Sequence, residues 1–469
     1  MSAHSHSSEG KLEITNNGPW SNAWKIAAGV GALGLLGVGA GFASDPKRLA
    51  FSYLFAFMAV LVLAIGTLFF VVIQHISAAH WSVGVRRTAE FFMGGLPALA
   101  VLFLPLFALM QYFPQWEHFG HATDHGAAAQ TAAHGGGHGQ AQQGHGGEHG
   151  GEHGQPAAGH TSSYELETQG IHHVHHETLE KKKLWFEKPF FFIRQAIYLL
   201  AWVLLSRRFF KLSTDQDKSK DKKTTVTAAR SAPASIAIIA LTLTFASFDW
   251  LMALEPAWYS TIFGVTIFAG GITAAMAAMI LTLQGLKRAG YIGDDIVNVN
   301  HFHDMAKLMF GFNCFWAYVV FSQFFLIWYA SIPEETVFYH ARWNENPAWQ
   351  PVSMGLAIFH FVVPFIMLMS HNVKRRMGWL ALGAGLLLVM HVVEYFWLVL
   401  PAFKAGAHGA AAAAGEGAHH SLPVHWMDFA ALLGVGGVYL AMVFRLMTQH
   451  KLVPVSDPRL ERSKLHSTM

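Results

Sequence analysis

The sequence predicts an all-α polytopic membrane protein, and three observations carry that prediction. Of the 469 residues 53% are hydrophobic and only 13% charged, well below the roughly 25% charged that soluble domains show. Apolar runs of about 20 residues, each long enough to cross a hydrocarbon core of about 30 Å, recur along the chain. Lys and Arg gather in short blocks between those runs.

The runs fall near 24 to 43, 51 to 76, 91 to 113, 189 to 210, 232 to 254, 258 to 284, 305 to 331, 351 to 373, 378 to 400 and 426 to 447, which makes about ten helices. Residues 1–23 form a short segment before them. With Ser, His, Glu9 and Glu13 in place of a basic n-region, that segment is expected to remain uncleaved. The first span carries Gly29, Gly31, Gly34, Gly37, Gly39 and Gly41. Gly37 and Gly41 have the GxxxG spacing that lets helix backbones approach, within one subunit or against another.

Between the third and fourth spans, residues 114–188 form a long loop, dominated from Trp116 to His176 by His, Gly, Ala and Gln. Ala405 to His420, in the loop at 401–424, repeats that composition. Too little apolar surface is present to offset the entropy of ordering, so a solvated linker is expected. His-rich tracts can also bind transition metals, but no fixed structural-zinc spacing is present.

The loop at 211–230 belongs to the heaviest basic block, Arg207, Arg208, Lys211, Lys218, Lys220, Lys222, Lys223 and Arg230. The positive-inside rule assigns it to the cytoplasm, and with it both termini, including the tail at 448–469. Lys181 to Lys183 then lie outside, which a long translocated loop tolerates. The net charge of +3 gives no reason to expect a nucleic-acid partner. The single cysteine, Cys314, excludes an internal disulfide, a thiolate-held iron–sulfur cluster and a covalently attached c-type haem.

Ionisable residues at membrane depth are functional candidates by default. Asp249 sits in the run Phe248-Asp249-Trp250-Leu251-Met252-Ala253-Leu254-Glu255-Pro256, near the outer end of the fifth span. Arg194 lies at matching depth in the fourth, so the two are a candidate ion pair, which would hold Asp249 ionised. His360 and His391 each lie about 15 Å from the outer end of their spans. Glu394 and Tyr395 follow His391 at i+3 and i+4, on the same helical face. His360, His391 and Glu394 are therefore a candidate midplane proton relay. Rival readings are an interhelical packing bond and axial ligation of a b-type haem by the two imidazoles.

His303, Asp304 and Lys307, with His301 beside them, mark the inner mouth of the seventh span as a helix cap or a site of proton uptake. Trp250, Trp258, Tyr259, Trp328, Tyr329, Trp343, Trp349 and Trp397 crowd the outer ends as an interfacial belt.

Several segments also carry a resemblance: Phe248 to Glu255 continuing through Trp258 to Gly264; His303 to Lys307; Phe315 to Tyr318 with Phe321 to Tyr329; Ile332 to Thr336; and Ser370 to Arg375. Together they resemble the NrfD/PsrC-like integral membrane subunits of alternative complex III, a bacterial quinol:cytochrome c, or quinol:acceptor, oxidoreductase. The F-type (ActF) subunits, called quinone-binding subunit 2, are the nearest in pattern. The resemblance covers the membrane part, is most specific from Ala246 to Arg376, and leaves out the His-rich loop.

It implies two four-helix bundles plus two peripheral helices in the bacterial inner membrane. It also implies partners: a multihaem cytochrome c subunit, an iron–sulfur subunit, a paralogous NrfD-like quinol-binding subunit and smaller membrane-anchored subunits, with lipids around them. Haem c and the iron–sulfur clusters would reside in those partners, and quinone or menaquinone would be the membrane carrier. The expected function is support of quinol oxidation in respiratory electron transport, with Asp249, His360, His391, Glu394, His303, Asp304 and Lys307 as the proton pathway. The alternatives are a structural scaffold of that complex and a secondary transporter; the latter typically shows discontinuous helices and paired halves, and no internal repeat is evident.

Overall fold

A computed structural model describes residues 12–15, 17–114, 181–256, 258–344, 346–403 and 422–467. Both His-rich segments lie outside the described residues. Among the described residues ten helices are long and apolar enough to cross a membrane: α1 (Ala23–Ser44), α2 (Pro46–Ile76), α3 (Val83–Tyr112), α4 (Lys188–Ser219), α5 (Lys223–Leu254), α6 (Phe263–Arg288), α7 (Val299–Ala330), α8 (Pro347–Met369), α9 (Met377–Ala402) and α10 (Trp426–Gln449). No strand occurs among the described residues. The chain is an all-α polytopic membrane protein.

Local chemistry sets the helix ends. Asp45 separates α1 from α2 and caps α2, its carboxylate accepting from the Arg48 amide at 2.9 Å, with Pro46 at the first helical position where a missing N–H costs nothing. Asn298 caps α7, and the His301 ring returns a bond to the Asn298 amide, closing a capping box. At the other end Ser331 adopts the left-handed conformation (φ 49°) and Pro333 prevents continuation. Gly94, Gly95, Pro97 and Pro105 break α3 into shorter segments at Met93, Leu96, Leu102 and Leu104.

Several helices outrun the apolar spans read from the sequence. α4 continues to Ser219, α5 starts at Lys223, and α3 starts at Val83, ahead of the expected residue 91. Hydropathy marks the hydrocarbon depth, whereas a helix continues wherever its backbone bonds and polar side chains are satisfied beyond it.

Helices α2, α3, α4 and α5 pack in a ring, as do α6, α7, α8 and α9; α2 joins the rings by packing on α6 and α9. Its run of apolar residues on every face suits this central place, and most of it is buried. α1 packs on α10 at the side of the molecule. Their seam is made by small residues: a Cβ on Gly34 would collide with the backbone of Gly434, and one on Gly37 would lie 2.8 Å from the Ala430 methyl. The glycine pattern of α1 thus serves packing within this chain. The segments before α1 and after α10 meet where the Leu452 amide donates to the Leu12 carbonyl at 2.8 Å. That face is called the tail end below, and the opposite face the loop end.

Candidate functional site

The inward face of α7 presents His303, Asn313, Trp316 and Gln323, all buried. Asn313, Trp316 and Gln323 share one stripe of α7 and His303 lies further round toward the tail end, so polar groups are buried along the helix from the tail end to the loop end.

The central group is the most tightly built. Pro364 has no N–H for the carbonyl four residues earlier, and around it α8 loosens into a π-helical stretch, Leu356–Val362. The carbonyl so affected belongs to His360, and the Asn313 side-chain amide donates to it at 3.0 Å. The His360 ring stacks on Trp316, centroids 4.0 Å apart. Trp316 in turn donates its indole N–H to Glu394 Oε1 at 2.6 Å. Gly270 on α6 makes room for this carboxyl, since a Cβ there would stand 3.1 Å from Glu394 Oε2. Glu394 Oε2 and His360 Nδ1 are buried without a hydrogen-bond partner among the described residues.

His391, one turn from Glu394, turns across the ring boundary. Its Nε2 donates to the Ala59 carbonyl on α2 at 2.9 Å, and its ring meets Tyr395 edge-on. Of the expected trio, Glu394 and His360 share Trp316, while His391 is held against the central helix. That bond also engages the nitrogen a bis-imidazole haem site would use, so the pair does not fit axial ligation.

At the tail end, Asp304 accepts from Lys307 at 3.0 Å and pairs with His466 of the C-terminal tail at 2.6 Å. The His303 ring is buried edge-on to His371, 4.6 Å between centroids, with its Nδ1 3.9 Å from Asp304 Oδ1, and neither nitrogen makes a hydrogen bond among the described residues. At the loop end, Gln323 accepts from Ser260 at 3.2 Å and donates to the Tyr339 hydroxyl at 3.3 Å.

Asp249 belongs to the first ring. Its Oδ1 accepts from Trp185 Nε1 at 2.8 Å and Arg194 Nη2 at 2.9 Å; its Oδ2 accepts from Arg194 Nε at 3.1 Å, Gln195 at 3.0 Å and Tyr198 at 3.0 Å. The Arg194 guanidinium also lies 3.9 Å from the Trp185 ring. Five hydrogen bonds satisfy both oxygens of a fully buried carboxylate. The geometry fits the Arg194–Asp249 pair and removes Asp249 from the relay, from which it is also separated by lying in the other ring.

A second buried network went unread in the sequence. Arg86 pairs with Glu90 at 2.9 Å and with Asp457 of the tail at 2.8 Å, while Arg87 pairs with Glu90 at 3.0 Å and Asp217 at 2.6 Å. Arg86 and Arg87 precede the apolar run that starts near residue 91, so hydropathy alone leaves them outside the span. Their i+3 and i+4 spacing to Glu90 is the signal that places all three on one helical face.

Among the described residues no group of three His, Cys, Asp or Glu is placed to hold a metal ion. No protein-family model and no curated protein matches the chain.

Proposed function

We propose that this chain is a membrane subunit of a quinol-oxidising respiratory complex of the alternative complex III type, and that its second ring conducts protons along α7. The observation that carries the reading is the buried row running from His303 through Asn313, His360, Trp316 and Glu394 to Gln323. Exchangeable protons at this depth, on side chains with unengaged nitrogen and oxygen atoms, suit transfer rather than simple packing. The segments resembling NrfD/PsrC-like subunits support the redox setting. They fall on α5, α6, α7 and the turn after α8, the elements around this row.

In this reading the redox centres belong to partner subunits, a multihaem cytochrome c and an iron–sulfur protein, and quinol or menaquinol is oxidised with the paralogous membrane subunit. This chain takes up protons near Asp304, His466 and His303. Glu394 and His360 exchange them at mid-depth, and Gln323 with Tyr339 lines the loop end. Steps between such distant groups pass through transient water. His391 orients α9 against α2, and Asp249 with Arg194 holds the first ring.

The test is Glu394→Gln in the intact complex, reconstituted in proteoliposomes with quinol and an electron acceptor. Protons carried across the membrane per electron, beyond those that quinol oxidation itself releases, should be lost while the complex still copurifies and passes electrons. Unchanged proton movement in both Glu394→Gln and His360→Ala would assign the chain a scaffold role. A chain that migrates alone on native electrophoresis, free of redox partners, would overturn the complex itself.

A further inference from the structure

We infer that the outer face of α4 holds an anionic phospholipid at the tail end, its phosphate on Arg207, Arg208 and Lys211 and its acyl chains along Ile197, Leu200 and Leu204. Successive turns of α4 set Ile193, Ile197, Leu200 and Leu204 on one face, and these four are between 53% and 58% exposed. The opposite face, with Tyr198, Trp202, Ser206 and Phe209, is buried in the first ring. At 3.6 residues per turn the exposed stripe runs on into Arg207, Arg208 and Lys211, each within about 60° of its centre. All three side chains are exposed. Apolar stripe and cations therefore lie on the same side of the same helix.

Arg207, Arg208 and Lys211 make no side-chain hydrogen bond or ion pair among the described residues. No acid occurs on α4 from Lys188 to Thr214, and the first, Asp215, follows one turn after Lys211. Other cations at the tail end are engaged within the chain: Lys287 on Asp294, Lys307 on Asp304, and Lys374 on the Leu368 and Met369 carbonyls. Arg207 stands about 29 Å along the helix from Lys188 at 1.5 Å per residue, close to the roughly 30 Å hydrocarbon core, which puts the three cations at headgroup level. Clustered cations at the end of an apolar stripe complement a molecule with an anionic head and hydrocarbon tails. A helix from a partner would favour small residues at the contact, whereas this stripe is dominated by branched Ile and Leu. An acidic protein segment or an inorganic anion would match the cations but not the stripe.

Two double variants test the site. Arg208→Gln with Lys211→Gln removes two of the headgroup partners. Lys218→Gln with Lys222→Gln removes the same charge from the same basic block, but Lys218 lies about 16 Å beyond Arg207, outside headgroup reach. The full chain is purified in mild detergent and exchanged against mixed micelles of phosphatidylglycerol and phosphatidylcholine, and the retained lipid is measured by native mass spectrometry. The unaltered chain should hold phosphatidylglycerol in preference to phosphatidylcholine. Arg208→Gln with Lys211→Gln should weaken the tightest-held phosphatidylglycerol about twenty-fivefold, near fivefold for each cation, with the melting temperature unchanged. Lys218→Gln with Lys222→Gln should retain the lipid as the unaltered chain does. Equal retention of the two lipids, equal losses in the two double variants, or displacement of the lipid by free phosphate would overturn the site. So would carbodiimide cross-linking of Lys211 to a second protein in native membranes, which would assign this face to a protein partner.

Discussion

At the scale of single residues, the contrast between Asp249 and Glu394 shows how surroundings assign roles to two buried carboxyls. Asp249 has five donors, two of them on Arg194, whereas Glu394 has one indole N–H and an oxygen with no hydrogen-bond partner among the described residues. Replacing Asp249 with Asn leaves the Arg194 guanidinium buried without its counter-charge, a loss of about 3–5 kcal/mol. A melting curve in detergent should show it, and a Glu394→Gln curve should stay near that of the unaltered chain; the reverse order would exchange the roles argued here. Lys182, outside the spans, offers a pH signature. It donates to the Pro256 and Trp258 carbonyls at 2.7 and 3.1 Å, and burial pushes its ammonium down from 10.5 to about 8. The unfolded chain keeps that proton up to the ordinary value, so between about pH 8 and 10.5 the unfolded state binds more protons and stability rises with pH. Acylation of Lys182 should reach half its maximal rate near pH 8; half-maximal labelling at pH 10 or above would contradict the burial argument.

At the scale of elements, the α1–α10 seam separates the glycines that packing requires from those it does not. Gly34→Val drives a side chain into the Gly434 backbone, while Gly39 has nothing within 4 Å of an added Cβ. Overpacking of this kind costs about 1–3 kcal/mol or more. Gly34→Val should therefore lower the melting temperature, while Gly39→Val leaves it unchanged. Equal effects at the two positions would mean that α1 is held by something other than α10. The ten spans and their order were legible in the apolar runs, and so were the Gly-rich face of α1 and the matched depth of Arg194 and Asp249. The π-helical turn in α8 was not, because a proline near the middle of a span is compatible with a kink, a break or a bulge until a neighbour such as Asn313 accommodates the displaced carbonyl.

At the scale of the whole molecule, the C-terminal tail ties the tail ends of both rings together, through Asp457 on Arg86 in the first and His466 on Asp304 in the second. Burial alone would raise the Asp457 carboxyl, but Arg86 and Arg459 outweigh it and hold the group below the ordinary carboxylate range. A depressed carboxyl contributes its stability above the unfolded value of 3.8, and that contribution is lost as pH falls through the lower folded value. The tail should therefore resist acid protease at pH 4 and be released only in stronger acid. Asp457→Asn should free it for cleavage by trypsin at Arg459 and Arg462 even at pH 7, since it removes one of Arg86's two carboxylate partners. Resistance in that variant would assign tail docking to His466 and Ser463 alone.

Composition, apolar run length and charge placement were sufficient for the class of protein, the number of spans and the residues at risk of being functional, because bilayer thickness and the cost of burying charge act on sequence directly. Which of those residues meet depended on how the helices rotate against one another. Glu394 and His360 share Trp316 because Gly270 and the α8 turn make room for them, His391 faces Ala59 because α9 borders α2, and Asp249 meets five donors because α4 and α5 are neighbours. Each is a packing choice made between helices, where sequence separation carries no distance and small residues decide how closely backbones approach.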